Sequence, residues 1–295
     1  GTSTDDISSL YSVSGGTLTT GTDIELHVVS GHTYVPGGAI DANGNVDIDG
    51  TLTAAANNIN VAGNWDIDGA ATITHTGTTT FDGIGTKTLT QAAAFAGPVV
   101  IVKTGGGTVT AATAVNTGAN PFTITSGTFD LEGQNFTTGT LTNDATLQFF
   151  GSQTFAVTTM DTDSGTFEFT GDGDATPETF TLPDFGTPDY YNFVVNDQNA
   201  TPANRDTIQM GAATNIAGTL TVTDGTFDTN ANDLNQTGDF TITTDGIFLG
   251  SSGTHDFNGN ATLSGGTFTS TSGTLTLAGN LDTSEEEHSL TIVER

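Results

Sequence analysis

Short runs in which apolar and polar residues alternate recur along the chain, and glycine-containing turns separate them. In Leu220-Thr-Val222 and Phe240-Thr-Ile242 the apolar side chains lie two positions apart, with a threonine between them. This period of two predicts β-strands with one buried face and one solvent-facing face. Helix-forming residues are scarce, so the pattern predicts an all-β protein.

The runs repeat with a period of about 20 residues. Gly218, Gly238, Gly259 and Gly279 are 20, 21 and 20 residues apart, and an apolar residue follows each of them by two positions. A second turn and strand recur between these glycines: Gly225-Thr-Phe227, Gly246-Ile-Phe248 and Gly266-Thr-Phe268. The same class of residue therefore returns at the same offset in successive units.

A unit of this size cannot bury its apolar face alone, but units coiled on top of one another can stack their apolar residues into interior ladders. We expect one such ladder to contain Leu220, Phe240, Ala261 and Leu281. Val222, Ile242 and Leu263 should form a neighbouring ladder.

These features predict one parallel β-helix, a β-solenoid with rungs of about 20 residues, over residues 1–284. An antiparallel sandwich or barrel is the alternative, because short strands between turn residues suggest those folds too. Only stacked rungs require the repeated residue class at a fixed offset, so the solenoid is favoured.

The charge of the chain limits its partners. The sequence has 34 acidic residues against four lysines and arginines, which gives a formal net charge of -30. Nucleic acid is excluded as a partner because phosphate binding needs clustered basic side chains, and an anionic lipid surface would be repelled. No apolar run is long enough for a membrane span, so we expect no membrane insertion. Divalent cations would be attracted.

The chain has no cysteine and begins at Gly1 without an initiator methionine. We expect a secreted, extracellular or cell-surface protein from which a leader was removed, and a cloning artefact is the alternative explanation of the first residue. Without disulfides, stability must come from the fold itself.

Residues 171–206 interrupt the period and contain four of the seven prolines: Pro177, Pro183, Pro188 and Pro202. A loop that leaves a regular solenoid is a common place for contacts with a partner. Tyr190 and Tyr191 are the predicted partner-binding residues in this insertion. The alternative is an elongated turn with no partner.

Residues 285–295 form a C-terminal tail that is poor in glycine and ends in a strand-like run. Its apolar residues Leu290, Ile292 and Val293 are the predicted assembly interface. Such a strand could cap its own solenoid or extend the sheet of a neighbouring subunit.

Few residues indicate chemistry. Oxygen-bearing side chains alternate around Gly44, as in a calcium loop, and the predicted ligands are Asp41, Asn43, Asn45, Asp47 and Asp49. The glycine is not where an EF-hand has it and no bidentate glutamate follows, so solvated strand faces are the alternative. No other cofactor is expected. The histidines lack zinc spacing and the serines lack a nucleophile elbow, so we predict no catalytic residues and no enzyme.

Three segments resemble the repeats of bacterial surface proteins with parallel β-helix architecture, such as autotransporter passenger domains and large adhesins: Val61-Ala-Gly-Asn-Trp-Asp-Ile-Asp-Gly69, Thr78-Thr-Thr-Phe-Asp-Gly83 and Ile216-Ala-Gly-Thr-Leu-Thr-Val222. The resemblance implies an exported stalk, adhesin or coat protein. We expect an extracellular structural subunit that binds itself end to end in a filament, sheath or surface layer. The alternatives are a monomeric adhesin or carbohydrate-binding stalk and, third, a polysaccharide lyase or hydrolase.

Overall fold

The structure is a computed structural model that describes residues 4–6, 11–12, 16–67, 69–186, 189–283 and 289–291. It describes only the backbone of residues 4–6, 11–12, 244 and 289–291. Over this part of the chain the fold is a parallel β-solenoid with turns of about 20 residues, which confirms the predicted fold class. Its one helix there is a short 3-10 helix, Pro202–Asn204.

The chain divides into two compact units, of which the first comprises Gly1–Thr146 and Thr154–Asp161. Its strands are β1 (Thr4–Asp6), β2 (Tyr11–Ser12), β3 (Leu18–Thr19), β4 (Glu25–Val28), β5 (Thr33–Val35), β6 (Ile40–Ala42), β7 (Val46–Ile48), β8 (Thr51–Ala55), β9 (Ile59–Val61), β10 (Trp65–Ile67), β11 (Thr72–His75), β12 (Thr79–Phe81), β13 (Lys87–Gln91), β14 (Val99–Val102), β15 (Thr108–Ala111), β16 (Val115–Asn116), β17 (Pro121–Ser126), β18 (Thr128–Asp130), β19 (Phe136–Asn143) and β21 (Phe155–Met160).

The second unit comprises Leu147–Gln153 and Thr162–Arg295. Its strands are β20 (Thr146–Phe149), which begins one residue before the unit, β22 (Thr166–Phe169), β23 (Thr179–Leu182), β24 (Asn192–Asn196), β25 (Thr207–Met210), β26 (Thr214–Ile216), β27 (Leu220–Asp228), β28 (Leu234–Gln236), β29 (Phe240–Leu249), β30 (His255–Phe257), β31 (Ala261–Thr269), β32 (Leu275–Leu277), β33 (Leu281–Asp282) and β34 (Ser289–Thr291).

Strands one turn apart pair in parallel. In the first unit, β2, β5, β8 and β11 form one series, and β3, β6, β9, β12, β14, β17, β19 and β21 form another. A third series runs through β1, β4, β7, β10, β13, β15 and β18. In the second unit, β26, β28, β30 and β32 pair in that order.

The predicted ladders form in the second unit. Leu220 pairs in register with Phe240, Phe240 with Ala261, and Ala261 with Leu281. The neighbouring ladder of Val222, Ile242 and Leu263 is also present. Phenylalanines continue the core, since the rings of Phe227 and Phe248 stack at 5.9 Å and those of Phe248 and Phe268 at 5.1 Å. Because successive side chains of a strand point to opposite faces, the threonines between these apolar residues face the surface.

The core of the first unit is also aromatic. The rings of Phe122 and Phe129 lie 4.7 Å apart, and Phe136 meets Phe122 edge to face at 5.0 Å. Trp65 is buried, and its Nε1 donates a hydrogen bond of 2.7 Å to Oε1 of Gln91. The polar end of the indole is thereby satisfied inside the core.

Residues 171–206 contain two strands of the solenoid, β23 and β24. β24 pairs with β22 on one side and β27 on the other, whereas β23 pairs with β25. The exposed residues 173–179 lead into β23, and the 3-10 helix follows β24. The interruption of the sequence period therefore includes regular parallel pairing as well as a surface excursion.

Candidate functional site

The last turn of the second unit exposes apolar side chains at core positions. Leu277 is 37% exposed and Leu281 is 44% exposed. Their register partners one turn earlier, Phe257 and Ala261, are 0% and 3% exposed. For Leu277, the difference arises because β32 is the terminal strand of its sheet within the described part of the chain.

A shallow apolar recess opens at this end of the second unit. Its lining consists of Phe240, Ala261, Leu263, Phe268, Leu275, Leu277 and Leu281. All of these are aliphatic or aromatic, so the recess has the composition of the solenoid core. We call it the terminal recess.

The C-terminal strand β34 pairs in parallel with residues 267–269, and Leu290 is in register with Phe268. This strand covers part of the edge of β31, whereas β32 gains no further partner among the residues described. Ile292 and Val293, the other predicted assembly residues, lie outside the described residues. The role of all three in assembly stays a prediction.

The first unit also contains terminal strands. β2 and β3 are terminal strands of their sheets in the described part of the chain, and each pairs on one side only, with β5 and β6 respectively. Their outer backbone edges are therefore open to another parallel strand.

The two tyrosines predicted to bind a partner have different environments. The Tyr190 side chain is fully buried, and its ring lies 5.1 Å from the ring of Phe167 and 5.0 Å from the ring of Phe193. Its hydroxyl donates a hydrogen bond to the Pro183 carbonyl. Burial raises its pKa well above the ordinary value. Tyr191 is half-buried, so of the two only Tyr191 has surface that a partner can touch.

Buried carboxylates hold residues 171–206 in place. The oxygens of Asp206 accept hydrogen bonds from the backbone N–H of Glu178 at 2.8 Å and of Asp172 at 3.2 Å. Asp197, also buried, accepts from the backbone N–H of Asp206 and of Asn199. These carboxylates replace the backbone partners that regular rungs would supply. Their contacts indicate a structural role.

Asp189 is a second kind of buried acid. It is 2% exposed, and its Oδ2 accepts a hydrogen bond of 2.8 Å from the backbone N–H of Asn215. Burial raises its pKa to about 6, and the nearby Asp184 carboxyl adds to the rise although the Asn215 N–H opposes it.

The predicted calcium ligands are divided between two sheets. Asp41 lies on β6, and Asp47 lies on β7 in a different sheet of the first unit. The Asn43 side chain donates to the Thr20 carbonyl at 2.8 Å, and Asn45 Oδ1 accepts from the backbone N–H of Asn64 at 2.9 Å. These two amides join successive turns. Calcium binding by the five residues stays a prediction.

The structure instead brings Asp47 and Asp49 to the side chains of Glu25 and His27 on the preceding turn. Burial raises the pKa of Asp47; His27 opposes the rise, and Asp49, Glu25 and Asp66 add to it. Sequence reasoning missed Glu25 and His27 because they lie about 20 residues before their partners. The repeat period itself was the available signal, since it places residues one period apart on adjacent strands.

Comparisons with known proteins give no relative for this chain: no protein family matches it, and no significant match was found among the curated proteins or the solved structures. In the described part of the chain, no helix is long and apolar enough to cross a membrane. The functional proposal is therefore based on the fold and on the local geometry.

Proposed function

We propose that this protein is an extracellular structural subunit that assembles end to end into a filament, sheath or surface layer. The observation that carries the proposal is the terminal recess, where Leu277 and Leu281 are exposed at positions that every earlier turn of their ladders buries. A solenoid end of this kind is completed by another turn, and a second copy of the chain supplies one.

The strand geometry supports end-to-end contact. The terminal recess and the open edge of β32 belong to the second unit, and the open edges of β2 and β3 belong to the first unit. Parallel pairing extends by adding a strand to such an edge, as in β-strand addition between proteins. Because the two contact surfaces differ, the contact is heterologous and can repeat without closing.

The extracellular location rests on composition and resemblance. The chain has a net charge of -30 and resembles exported β-helix repeats of the adhesin and autotransporter class in the three segments 61–69, 78–83 and 216–222. A strongly negative surface opposes close approach of subunits until salt or divalent cations screen it. Assembly should therefore depend on the ionic conditions.

The test is Leu277→Asp, compared with Ile84→Asp as the matched control. Ile84 is a 72% exposed turn residue of the first unit, so both variants add one charge to the surface. We expect negative-stain electron microscopy to show filaments or sheets of wild type and Ile84→Asp, and isolated particles of Leu277→Asp, because a carboxylate in the terminal recess would be buried at the contact. Images with and without calcium will show whether metal controls assembly.

Isolated wild-type particles under every ionic condition would overturn the proposal. They would favour the second candidate, a monomeric adhesin or carbohydrate-binding stalk. The observation that favours this candidate is the run of exposed residues 173–179, followed in the same segment by half-buried Tyr191. A polysaccharide lyase or hydrolase, the third candidate, has no comparable support among the described residues.

A further inference from the structure

A group of ionisable side chains converges on the outer face of two successive turns of the first unit. Glu25 and His27 lie at alternate positions of β4 and therefore on the same face. Asp47 on β7 is the register partner of His27, and Asp49 follows β7 directly. The parallel register thus brings four side chains together from positions about one repeat apart.

The distances within this group suit a shared ligand. His27 Nε2 lies 3.0 Å from Oδ2 of Asp49 and 3.8 Å from Oδ2 of Asp47. One ligand atom from each of Glu25, His27 and Asp47 lies within 4.8 Å of the other two. The side chains of His27, Asp47 and Asp49 are 19%, 33% and 35% exposed, so an ion can reach the group from solvent.

The charge of the group favours a cation. Three carboxylates surround one imidazole, which carries at most one positive charge. Asp66, the register partner of Asp47 on the next turn, adds a fourth carboxylate at the edge of the group. Bringing a divalent cation to this position would reduce the repulsion among the carboxylates.

We propose that Glu25, His27, Asp47 and Asp49 form a binding site for a divalent metal ion of the zinc class. An imidazole nitrogen with carboxylate oxygens is a donor set that zinc and similar transition metals accept. Calcium prefers six to eight oxygen ligands and gains little from the imidazole. The histidine therefore distinguishes this site from the calcium loop predicted from residues 41–49.

A bound ion would join β4 to β7 and so stabilise successive turns of the first unit. Binding to the folded state alone raises the free energy of unfolding by mass action. This inference concerns the first unit and does not rest on the proposed assembly at the terminal recess.

Isothermal titration calorimetry with zinc chloride tests the site on the full chain, freed of metal with EDTA and dialysed to about pH 7.5. We expect one site that His27→Gln weakens at least about tenfold, since it loses its nitrogen ligand. The matched control is His32→Gln. His32 lies in the loop between β4 and β5 of the same solenoid turn, and its imidazole Nδ1 lies 3.3 Å from the Ser30 carbonyl oxygen. This variant should bind zinc like wild type.

A second variant and a second readout keep the test decisive. Asp49→Asn should weaken zinc binding about as much as His27→Gln. If circular dichroism shows that His27→Gln does not fold, Asp49→Asn alone tests the site. Zinc should raise the thermal unfolding midpoint of wild type and of His32→Gln clearly more than that of either site variant. Equal zinc affinity in wild type and His27→Gln, no zinc binding, or calcium binding as tight as zinc binding would each overturn the proposal.

Discussion

At the scale of single residues, this solenoid satisfies buried charged groups mainly with backbone partners. Lys103 is 1% exposed, and its Nζ donates a hydrogen bond of 2.6 Å to the Asp82 carbonyl. Asp206 accepts from two backbone N–H groups instead of from a basic side chain. Burial lowers the pKa of Lys103 and raises that of Asp206, although the two backbone hydrogen bonds to Asp206 oppose the rise. Because the chain has so few basic side chains, backbone N–H and C=O groups provide the hydrogen bonds that these buried charged groups need.

Asp189 yields a pH prediction. Burial and the neighbouring Asp184 carboxyl raise its pKa to about 6 in the folded protein, from the ordinary value of 3.8. Between these two pH values the folded state holds more protons than the unfolded state, so its contribution to the free energy of unfolding falls as pH rises through this window. The loss is complete above about pH 7 and amounts to at most about 3 kcal/mol.

We therefore expect Asp189→Asn to reduce the fall in stability between about pH 4 and pH 7, since the amide cannot ionise and its oxygen can still accept from Asn215. Urea unfolding at both pH values measures the effect. Asp23→Asn is the control because it removes a charge from an exposed turn of the first unit, at a positive φ that asparagine tolerates. The same pH dependence in Asp189→Asn and Asp23→Asn would contradict the prediction.

At the scale of the element, stacked glycines set how closely successive turns approach. Gly218, Gly238, Gly259 and Gly279 recur at the same position of successive turns. A Cβ atom on Gly259 would lie 2.0 Å from the Gly238 carbonyl oxygen, and one on Gly279 would lie 2.3 Å from that of Gly259. Real Cβ atoms essentially never come within 3.0 Å of another atom in this way. Any side chain here would force the two turns apart.

Gly259→Ala should therefore destabilise the protein by about 1–3 kcal/mol, the usual cost of overpacking. Gly69→Ala is the control, because a Cβ there meets no atom within 4 Å and needs no unusual backbone angle. Its free energy of unfolding should stay the same or rise slightly. Urea denaturation compares the two variants with wild type, and equal stability of all three would show that the turns can separate at little cost.

At the scale of the whole molecule, a net charge of -30 opposes the compact state. Raising sodium chloride from about 10 mM to about 100 mM shortens the screening length from about 30 Å to about 10 Å. The thermal unfolding midpoint should rise over this range, because repulsion among the acidic side chains is stronger in the folded state. Differential scanning calorimetry measures the midpoint. The Leu277→Asp variant is used because we expect it not to assemble, so that salt acts on the folding of single subunits alone.

Sucrose at matched osmolality is the control for this prediction, because it changes solvation without screening charge. We expect it to give a smaller rise in the unfolding midpoint than salt does. A midpoint independent of salt would mean that the acidic side chains are already far enough apart for repulsion among them to be weak.

Much of the fold follows from the sequence alone. The recurrence of Gly218, Gly238 and Gly259 was enough to predict which residues pair, as the register of Leu220 with Phe240 confirms. In a solenoid the pairing partner lies one period away in sequence, so a periodic pattern encodes tertiary contacts directly. The charge of the chain likewise predicts no nucleic-acid partner, and this stays a prediction.

Other features were decided by the tertiary structure. The alternating pattern treats Leu277 like any earlier core residue, and only the end of the stack exposes it. Tyr190 and Tyr191 are adjacent residues of the same type, so the sequence does not distinguish them. Because adjacent side chains point to opposite faces, Tyr190 is buried and Tyr191 is partly exposed. Asp49 meets His27 because stacking brings their turns together. Sequence periodicity determines which residues stack, whereas burial, charge neighbours and open ends depend on where the stack begins, ends and departs from its period.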